Sequence, residues 1–362
     1  MFVVMLFFCM GVNFAEATSY YVSTTGNDAN NGTSMGSAWQ HISYAVDQVS
    51  PGDTIYVNPG NYGDDRPTIE INGTDANPIT LTRYGGSGEI EIESSGLMSG
   101  YGIKISADYW FIEHFHITDY FYGVIVTTGE HNILRNMILD ATQRKSGDEY
   151  QGIIILGNNN LIENCVAHDI GDDKKGGGYR LMGDYNEVKN SKAYNNGHFQ
   201  LSIDNTQADK ATGNVVDGGE YYNGDHDTGI GIADADSTTV RNALIHDVKQ
   251  GIRGYMEAAN LTITGCTISD TQVEGIYLRP LNIANIANNK IERWNLSDAN
   301  KPAIWSEASN VTFSVNQPLN GSVADFRFHK RNPKNLFSPP NALSVCRNEM
   351  PGNNIYNLAI SV

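Results

Sequence analysis

The chain of 362 residues is predicted to be an all-β solenoid of parallel strands, on three observations. A glycine followed by alternating apolar residues recurs from residue 100 onward, and a second short strand carrying Asn recurs independently of it. No helix-length periodic segment lies between the two. Repeats with periods of about 20–50 residues cannot bury their own faces and do so by stacking. Two domain-lengths of chain therefore read as one elongated unit.

The composition agrees. Hydrophobic residues make up 40% and charged residues 18%, which excludes a disordered chain and a coiled coil. Lys and Arg number 24 against 41 Asp and Glu, a formal charge of −17. Non-specific binding of nucleic acid or an anionic membrane surface is excluded on that balance, and an anionic ligand would need a local basic patch. Four Cys, one of them in the leader, exclude a disulfide framework and a four-Cys zinc site.

Taken in order, residues 1–17 read as a signal peptide. Met1–Val12 is almost wholly apolar and ends in Ala15-Glu16-Ala17, a small-x-small cleavage pattern. The run is too short to span a bilayer, and no later segment approaches 18 apolar residues. A secreted or cell-surface protein with no membrane span is expected, and a monomer.

Residues 18–100 read as an N-terminal cap and first coils. Tyr20-Tyr21-Val22-Ser23 is followed by Gly26-Asn27-Asp28, Asn31-Gly32-Thr33, Trp39, Ile42 and Ala45-Val46. Pro51-Gly52-Asp53-Thr54-Ile55-Tyr56-Val57 and Pro59-Gly60-Asn61-Tyr62 complete the segment. It resembles the entry motif of the pectate-lyase-like right-handed parallel β-helix superfamily. The resemblance implies a single-stranded right-handed parallel β-helix whose open end is covered by a short amphipathic helix, here about 38–49, with Ile42, Ala45, Val46 and Val49 on one face. That superfamily holds lyases, hydrolases, uronate epimerases, depolymerases and adhesins, so the resemblance alone does not choose a chemistry.

Residues 101–317 read as the parallel β-helix. The glycine strand runs through Gly102-Ile103-Lys104-Ile105, Gly123-Val124-Ile125-Val126, Gly152-Ile153-Ile154-Ile155 and Gly178-Tyr179-Arg180-Leu181. It continues as His198-Phe199-Gln200-Leu201, Gly229-Ile230-Gly231-Ile232, Gly251-Ile252-Arg253-Gly254, Gly275-Ile276-Tyr277-Leu278 and Ala303-Ile304-Trp305, at intervals of about 21 to 31 residues. In the second strand Asn136, Asn164, Asn190 and Asn242 share a column and are expected to form an internal ladder that satisfies buried backbone groups. Cys165 and Cys266 share another column, several coils apart, and cannot bridge. Periodicity stops near Gln317. Residues 318–362 carry a composition shift toward Arg, Lys and Pro and are expected to be an irregular segment or a C-terminal cap.

Side chains alternate across a strand. With the residue after each Gly inward, one outward column holds Lys104, Arg180, Gln200, Arg253, Tyr277 and Trp305, and the next holds Ser202, Tyr255 and Arg279. Basic and aromatic groups concentrated on one face of an acidic protein suit an acidic polysaccharide, since Arg forks match carboxylates and aromatic rings stack on sugars. Lys104, Arg180, Gln200, Tyr255, Arg279 and Trp305 are the expected substrate-binding residues. Asp204 and Asp234 read as turn formers.

The turn leading into this face reads Tyr221-Tyr222-Asn223-Gly224-Asp225-His226-Asp227-Thr228. Asp225 and Asp227 point the same way if extended and suit Ca²⁺, a possible cofactor. Stacking by about 22 residues puts Lys249 beside Asp227. Tyr222-x-x-Asp225 with His226 resembles the Tyr, Asp and His site of alginate epimerases, except that the His follows the Asp directly. His226 and Lys249 are candidate bases, Arg253 a carboxylate neutraliser and Tyr277 a proton donor. A polysaccharide lyase acting by β-elimination on a uronate-containing polymer is the first expectation. A glycoside hydrolase of a surface or matrix glycan, a uronate C5-epimerase and a non-catalytic carbohydrate-binding surface protein stay open beside it.

Overall fold

A computed structural model describes residues 16–95, 100–141, 150–171, 175–205, 210–279, 284–294 and 303–306. Beyond them it describes the backbone of Val311–Ser314, Ala324–His329, Val345–Glu349 and Ile355–Ile360, and of residues 225–227 within a strand. Residues 1–15, most of the segment expected to be a signal peptide, lie outside the described residues.

The chain winds as a right-handed parallel β-helix with three strand columns per coil. The first column is a twelve-stranded parallel sheet that begins at Ser19–Val22 and ends at Val311–Ser314. The second runs through Phe115–Thr118, Ile138–Asp140, Val166–His168 and Lys192–Tyr194. The third runs through Tyr101–Ile105, Tyr122–Val126, Gln151–Ile155, Gly177–Leu181 and Phe199–Ile203. Glu220–Ala233 and Leu244–Tyr255 are long enough to serve both of the latter columns.

Like stacks on like. Ile103, Val124, Ile153, Tyr179, Leu201, Ile230, Ile252, Ile276 and Ile304 are register partners from coil to coil, and all are buried. Each buried aliphatic contributes about 1.5–3 kcal/mol, so this column alone is a major term in stability. Cys165 and Cys266 are buried, free and in core positions; burial pushes their thiols up to about 12 and about 11.

The internal Asn ladder exists, but in another column. Asn136, Asn164, Asn190 and Asn242 have φ of 54°, 54°, 49° and 57°. They are left-handed turn residues, half-buried or exposed, between the first and second columns, with Gly218 and Gly265 at the equivalent place in other coils. Asn and Gly are the residues for which that conformation costs least. The buried ladder is Asn132, Asn160, Asn186 and Asn214, each at most 1% exposed. Each Oδ1 accepts the backbone N–H of the preceding coil's counterpart, with Trp110 N–H at the start, at 2.8–2.9 Å. Each Nδ2 donates to a buried carbonyl, of Ala107, Gly129, Gly157 and Gly183 respectively.

The capping helix is shorter than expected. Only Ile42–Ala45 is α-helical, after a 3₁₀ turn at Met35–Ser37. Ile42, Ala45, Val46 and Val49 are buried as the amphipathic pattern requires. Buried Asp65 accepts the N–H groups of Ile42 and Ser43, so a distant carboxylate caps this one turn. At the other end, Ala324–His329 adds in parallel to Ile304–Ser306, and Ile355–Ile360 then pairs antiparallel with both Ala324–His329 and Val345–Glu349. The segment expected to be irregular or a cap thus holds three strands.

Candidate active-site furrow on the third strand column

Strand register defines the outward face of the third column. Lys104, Ile125, Ile154, Arg180, Ser202, Gly231, Arg253, Tyr277 and Trp305 are successive partners. Tyr255 stands beside Ala233 in the next outward column, and exposed Arg279 follows Leu278 one coil on. Five of the six residues expected to bind substrate therefore lie on this face.

Gln200 does not. It is fully buried, and its Oε1 accepts from Asn196 Nδ2 at 2.9 Å. Register pairs Tyr179 with Leu201 and Arg180 with Ser202, so Gln200 occupies the position glycine holds in neighbouring coils. The strand bends there, and two successive residues face inward, as the burial of Gly102 and Ile103 repeats. Ser202 takes the outward place assigned to Gln200.

Across coils 151–256 the face deepens into a cleft of about 420 Å³ lined by Gln151, Arg180, Phe199, Asp204, Asp234 and Tyr255, among others. Phe199 lies on Gly231: a Cβ there would stand 2.4 Å from the Phe199 ring, so only glycine admits it. The Phe199 and Tyr255 rings are near parallel, with centroids 6.4 Å apart and 10° between planes. The Arg253 guanidinium lies 4.7 Å from the Tyr255 centroid, a cation–π distance. Among the described residues its buried Nε has no hydrogen-bond partner, and neither does the buried Oε1 of Gln151. Such atoms cost free energy unless a ligand or water meets them.

Arg180 is engaged. Its Nε and Nη2 both donate to Asp204 Oδ1, at 2.9 and 2.6 Å. Asp204, expected as a turn former, is therefore a furrow residue; Asp234, with φ of 45°, is a turn residue that also lines the cleft. Asp204, Phe199, Ser202 and Gln151 are the residues that sequence reasoning missed. The signal for Asp204 was its place two residues after Ser202 on the same strand face.

The side chains of Asp225, His226 and Asp227 lie outside the described residues. Their backbone forms the point where register with the next coil shifts, between Gly224 and Thr228. Gly224 pairs with Val248 and Thr228 with Gln250, so exposed Lys249 stands opposite this bulge. Arg253 comes four residues later, roughly 13 Å along the strand, and Tyr277 is its neighbour in the following coil. Lys249 thus stands between the second- and third-column parts of its strand, while Arg253 and Tyr277 are neighbours on the third-column face. Among the described residues no group of three or more His, Cys, Asp or Glu could hold a metal, and no helix is long and apolar enough to cross a membrane.

Comparison with known proteins places this architecture. A family model for a Pel9A-like right-handed β-helix region matches residues 20–196, and one for a right-handed β-helix region matches 186–318. Pectate lyase L of Dickeya dadantii is 30% identical over 193 residues, 49% of this chain and 37% of that protein. The Dickeya chrysanthemi protein of the same name is 28% identical over the same length. The chain thus spans little more than a third of the length of these relatives. Among solved structures, pectate lyase Pel9A aligns with a TM-score of 0.53 at 16% identity, covering 84% of this chain and 78% of that one. The A-module of the Azotobacter vinelandii mannuronan C-5 epimerase AlgE4 aligns with a TM-score of 0.56 at 17% identity, covering 82% and 92%. With two β-helix models joining across residues 20–318 and a fold shared with these structures, the chain belongs to the pectate-lyase-like right-handed parallel β-helix superfamily.

Proposed function

We propose that the protein is a secreted polysaccharide lyase acting on a uronate-containing polymer along the third-column furrow. The observation that carries this reading is Arg253. It is a cation on the outward face of the third column, stacked on Tyr255 of the cleft lining, with a buried Nε free of any partner among the described residues. Likeness to pectate lyase L over half of the chain supports the same choice.

In the proposed step Arg253 pairs with the C6 carboxylate of the bound uronate. Neutralising that charge makes the C5 proton easier to remove. A base, His226 or Lys249, takes the proton. The C5 electron pair forms the C4–C5 double bond, the bond from C4 to the linking oxygen breaks, and Tyr277 gives that oxygen a proton. Lys104, Arg180, Tyr255, Arg279 and Trp305 line the path of the chain on either side. Lys249 and the 225–227 bulge opposite it both stand roughly 13 Å along the strand from Arg253, so either base has to reach back along the furrow to the C5 proton. Ca²⁺ at Asp225 and Asp227 is part of this proposal. The side chains of Asp225 and Asp227 lie outside the described residues, and no step is assigned to the ion.

The test is incubation with a panel of acidic polysaccharides, with and without a chelator. Ultraviolet absorbance from an unsaturated uronate is the expected result. New reducing ends without that absorbance would instead support a hydrolase.

A further inference from the structure

The first strand column carries an aromatic cluster that the furrow does not use. Tyr21 and Tyr56 are register partners on adjacent strands. Both side chains point outward, since Val22 and Val57 beside them are buried. Their rings stack, with centroids 5.6 Å apart and 28° between planes. The Tyr84 ring stands 5.5 Å from the first and 6.2 Å from the second, at 78° and 75°. A ring perpendicular to two stacked rings and almost equally distant from both lies across their edges, the edge-to-face contact that ring quadrupoles favour. One face of Tyr84 is therefore engaged by the stack and the other is turned to solvent; the residue is 41% exposed. Among the described residues none of the three hydroxyls has a hydrogen-bond partner.

The loop that starts at Tyr84 is held in place. The Tyr84 N–H donates to the Val57 carbonyl at 2.7 Å. Arg83 Nη1 and Nη2 donate to the carbonyls of Gly88 and Gly86, at 2.8 and 3.4 Å, and so close the loop. Gly88 packs on Pro59, which a Cβ would approach to 2.7 Å. Beside the rings, Tyr56 pairs with Thr82, whose hydroxyl donates to Glu113 at 2.9 Å. Rings fixed before binding lose little freedom on binding.

Three partly covered rings present roughly a few hundred Å² at most, well short of the about 1,200 Å² that a specific protein interface buries. A solvent-facing ring with free hydroxyls at its side matches a pyranose, whose C–H face stacks on the ring and whose hydroxyls meet the polar groups. The cluster lies on the twelve-stranded sheet, and the furrow on the other large sheet. Resting on the reading of the protein as a polysaccharide-acting enzyme, we infer that Tyr21, Tyr56 and Tyr84 form a second carbohydrate-binding site. It is a pyranose-stacking platform that holds the polymer at a distance from the furrow and takes no part in the chemistry.

The experiment compares polymer with oligomer on the intact protein. The probes are polygalacturonate, alginate and unsulfated chondroitin, each with its hexasaccharide. Tyr84→Ala is expected to raise KM about fivefold on the polymer that is turned over, with kcat unchanged, because a second contact on the same chain is lost. On the hexasaccharide, too short to need both sites, kcat and KM should stay as they are. Tyr84→Phe keeps the ring and should behave as wild type on both. Tyr84→Gln removes the ring at the same exposed position and carries the test if the alanine variant unfolds. Sedimentation of wild type and variants shows whether the platform instead seats a second copy of the chain. An unchanged polymer KM in a folded variant without the ring, an equal loss on polymer and hexasaccharide, or a dimer that Tyr84→Ala splits overturns the inference and leaves the enzyme reading standing. If none of the polymers is turned over, the enzyme reading falls and takes the inference with it.

Discussion

Arg180 and Asp204, 24 residues apart in the chain, meet across adjacent coils with two guanidinium nitrogens on one carboxylate oxygen. The pairing changes how the basic face reads. Four basic residues appear on it in the sequence, but one of them is spent on an internal partner. Arg253 keeps an Nε without a partner among the described residues.

Arg253→Ala is expected to lower turnover at least about 10²-fold, the usual worth of a group that stabilises developing charge. Arg253→Lys should recover only part of it, because an ammonium keeps the charge but loses the planar fork that stacks on Tyr255. Steady-state rates on the best polysaccharide of the panel, with melting temperatures alongside, check both.

His226→Ala and Lys249→Ala separate the two candidate bases. Loss of the base should cost about 10²–10⁴-fold in turnover, while loss of the other residue should cost far less. Lys249 is exposed, so its replacement should leave the melting temperature nearly unchanged. Two folded variants with near-normal turnover would move the base elsewhere on the furrow.

Asn186→Ala breaks the buried ladder. It leaves the Asn160 N–H without its acceptor and the Gly157 carbonyl without its donor, at about 1–3 kcal/mol for each group orphaned. Asn190→Gly, at a left-handed turn with φ of 49°, should be close to neutral because glycine adopts that backbone freely. Denaturant unfolding of the two variants tests whether the ladder lies where the structure puts it.

His116 gives a pH signature on the second column. Its Nε2 meets Asp140 at 2.6 Å, and its Nδ1 meets Glu89 at 3.3 Å. The hydrogen bond to Asp140 outweighs burial and raises the imidazole above its ordinary 6.5. Burial pushes the Asp140 carboxyl up, but hydrogen bonds from His116 and Thr118 prevail and hold it below 3.8. The His116 contribution is therefore fully present below pH 6.5 and lost as pH rises through the raised value. The Asp140 contribution is present above 3.8 and lost as pH falls through the lowered value. The gap in melting temperature between wild type and His116→Gln should be widest at mildly acidic pH and shrink toward about pH 9, by a few degrees in a domain of this kind.

The fold was legible because stacking makes each coil repeat its neighbour's residue types. The Gly-apolar strand could be followed over nine coils, and the register confirms its face at Lys104, Arg180, Arg253, Tyr277 and Trp305. It slipped at one coil, where Gln200 replaces the marker glycine and fills the interior with an amide bound to Asn196. The Asn column was misassigned for a related reason. Asn serves both the left-handed turn and the buried ladder, and sequence spacing is the same for each, since both repeat once per coil. The Asp204–Arg180 pair and the Phe199–Gly231 contact were not legible, because they depend on which side chain leans across to the next coil.

The central claim is a β-elimination guided by Arg253, and product mass tests it most directly. Mass spectrometry of oligosaccharides released from a defined uronate-containing polymer distinguishes elimination from hydrolysis by one water. The account predicts fragments whose new non-reducing end is one water lighter than the hydrolytic product, formed by wild type and strongly reduced in Arg253→Ala. Fragments that have all gained water, or light fragments formed equally well by Arg253→Ala, would contradict it.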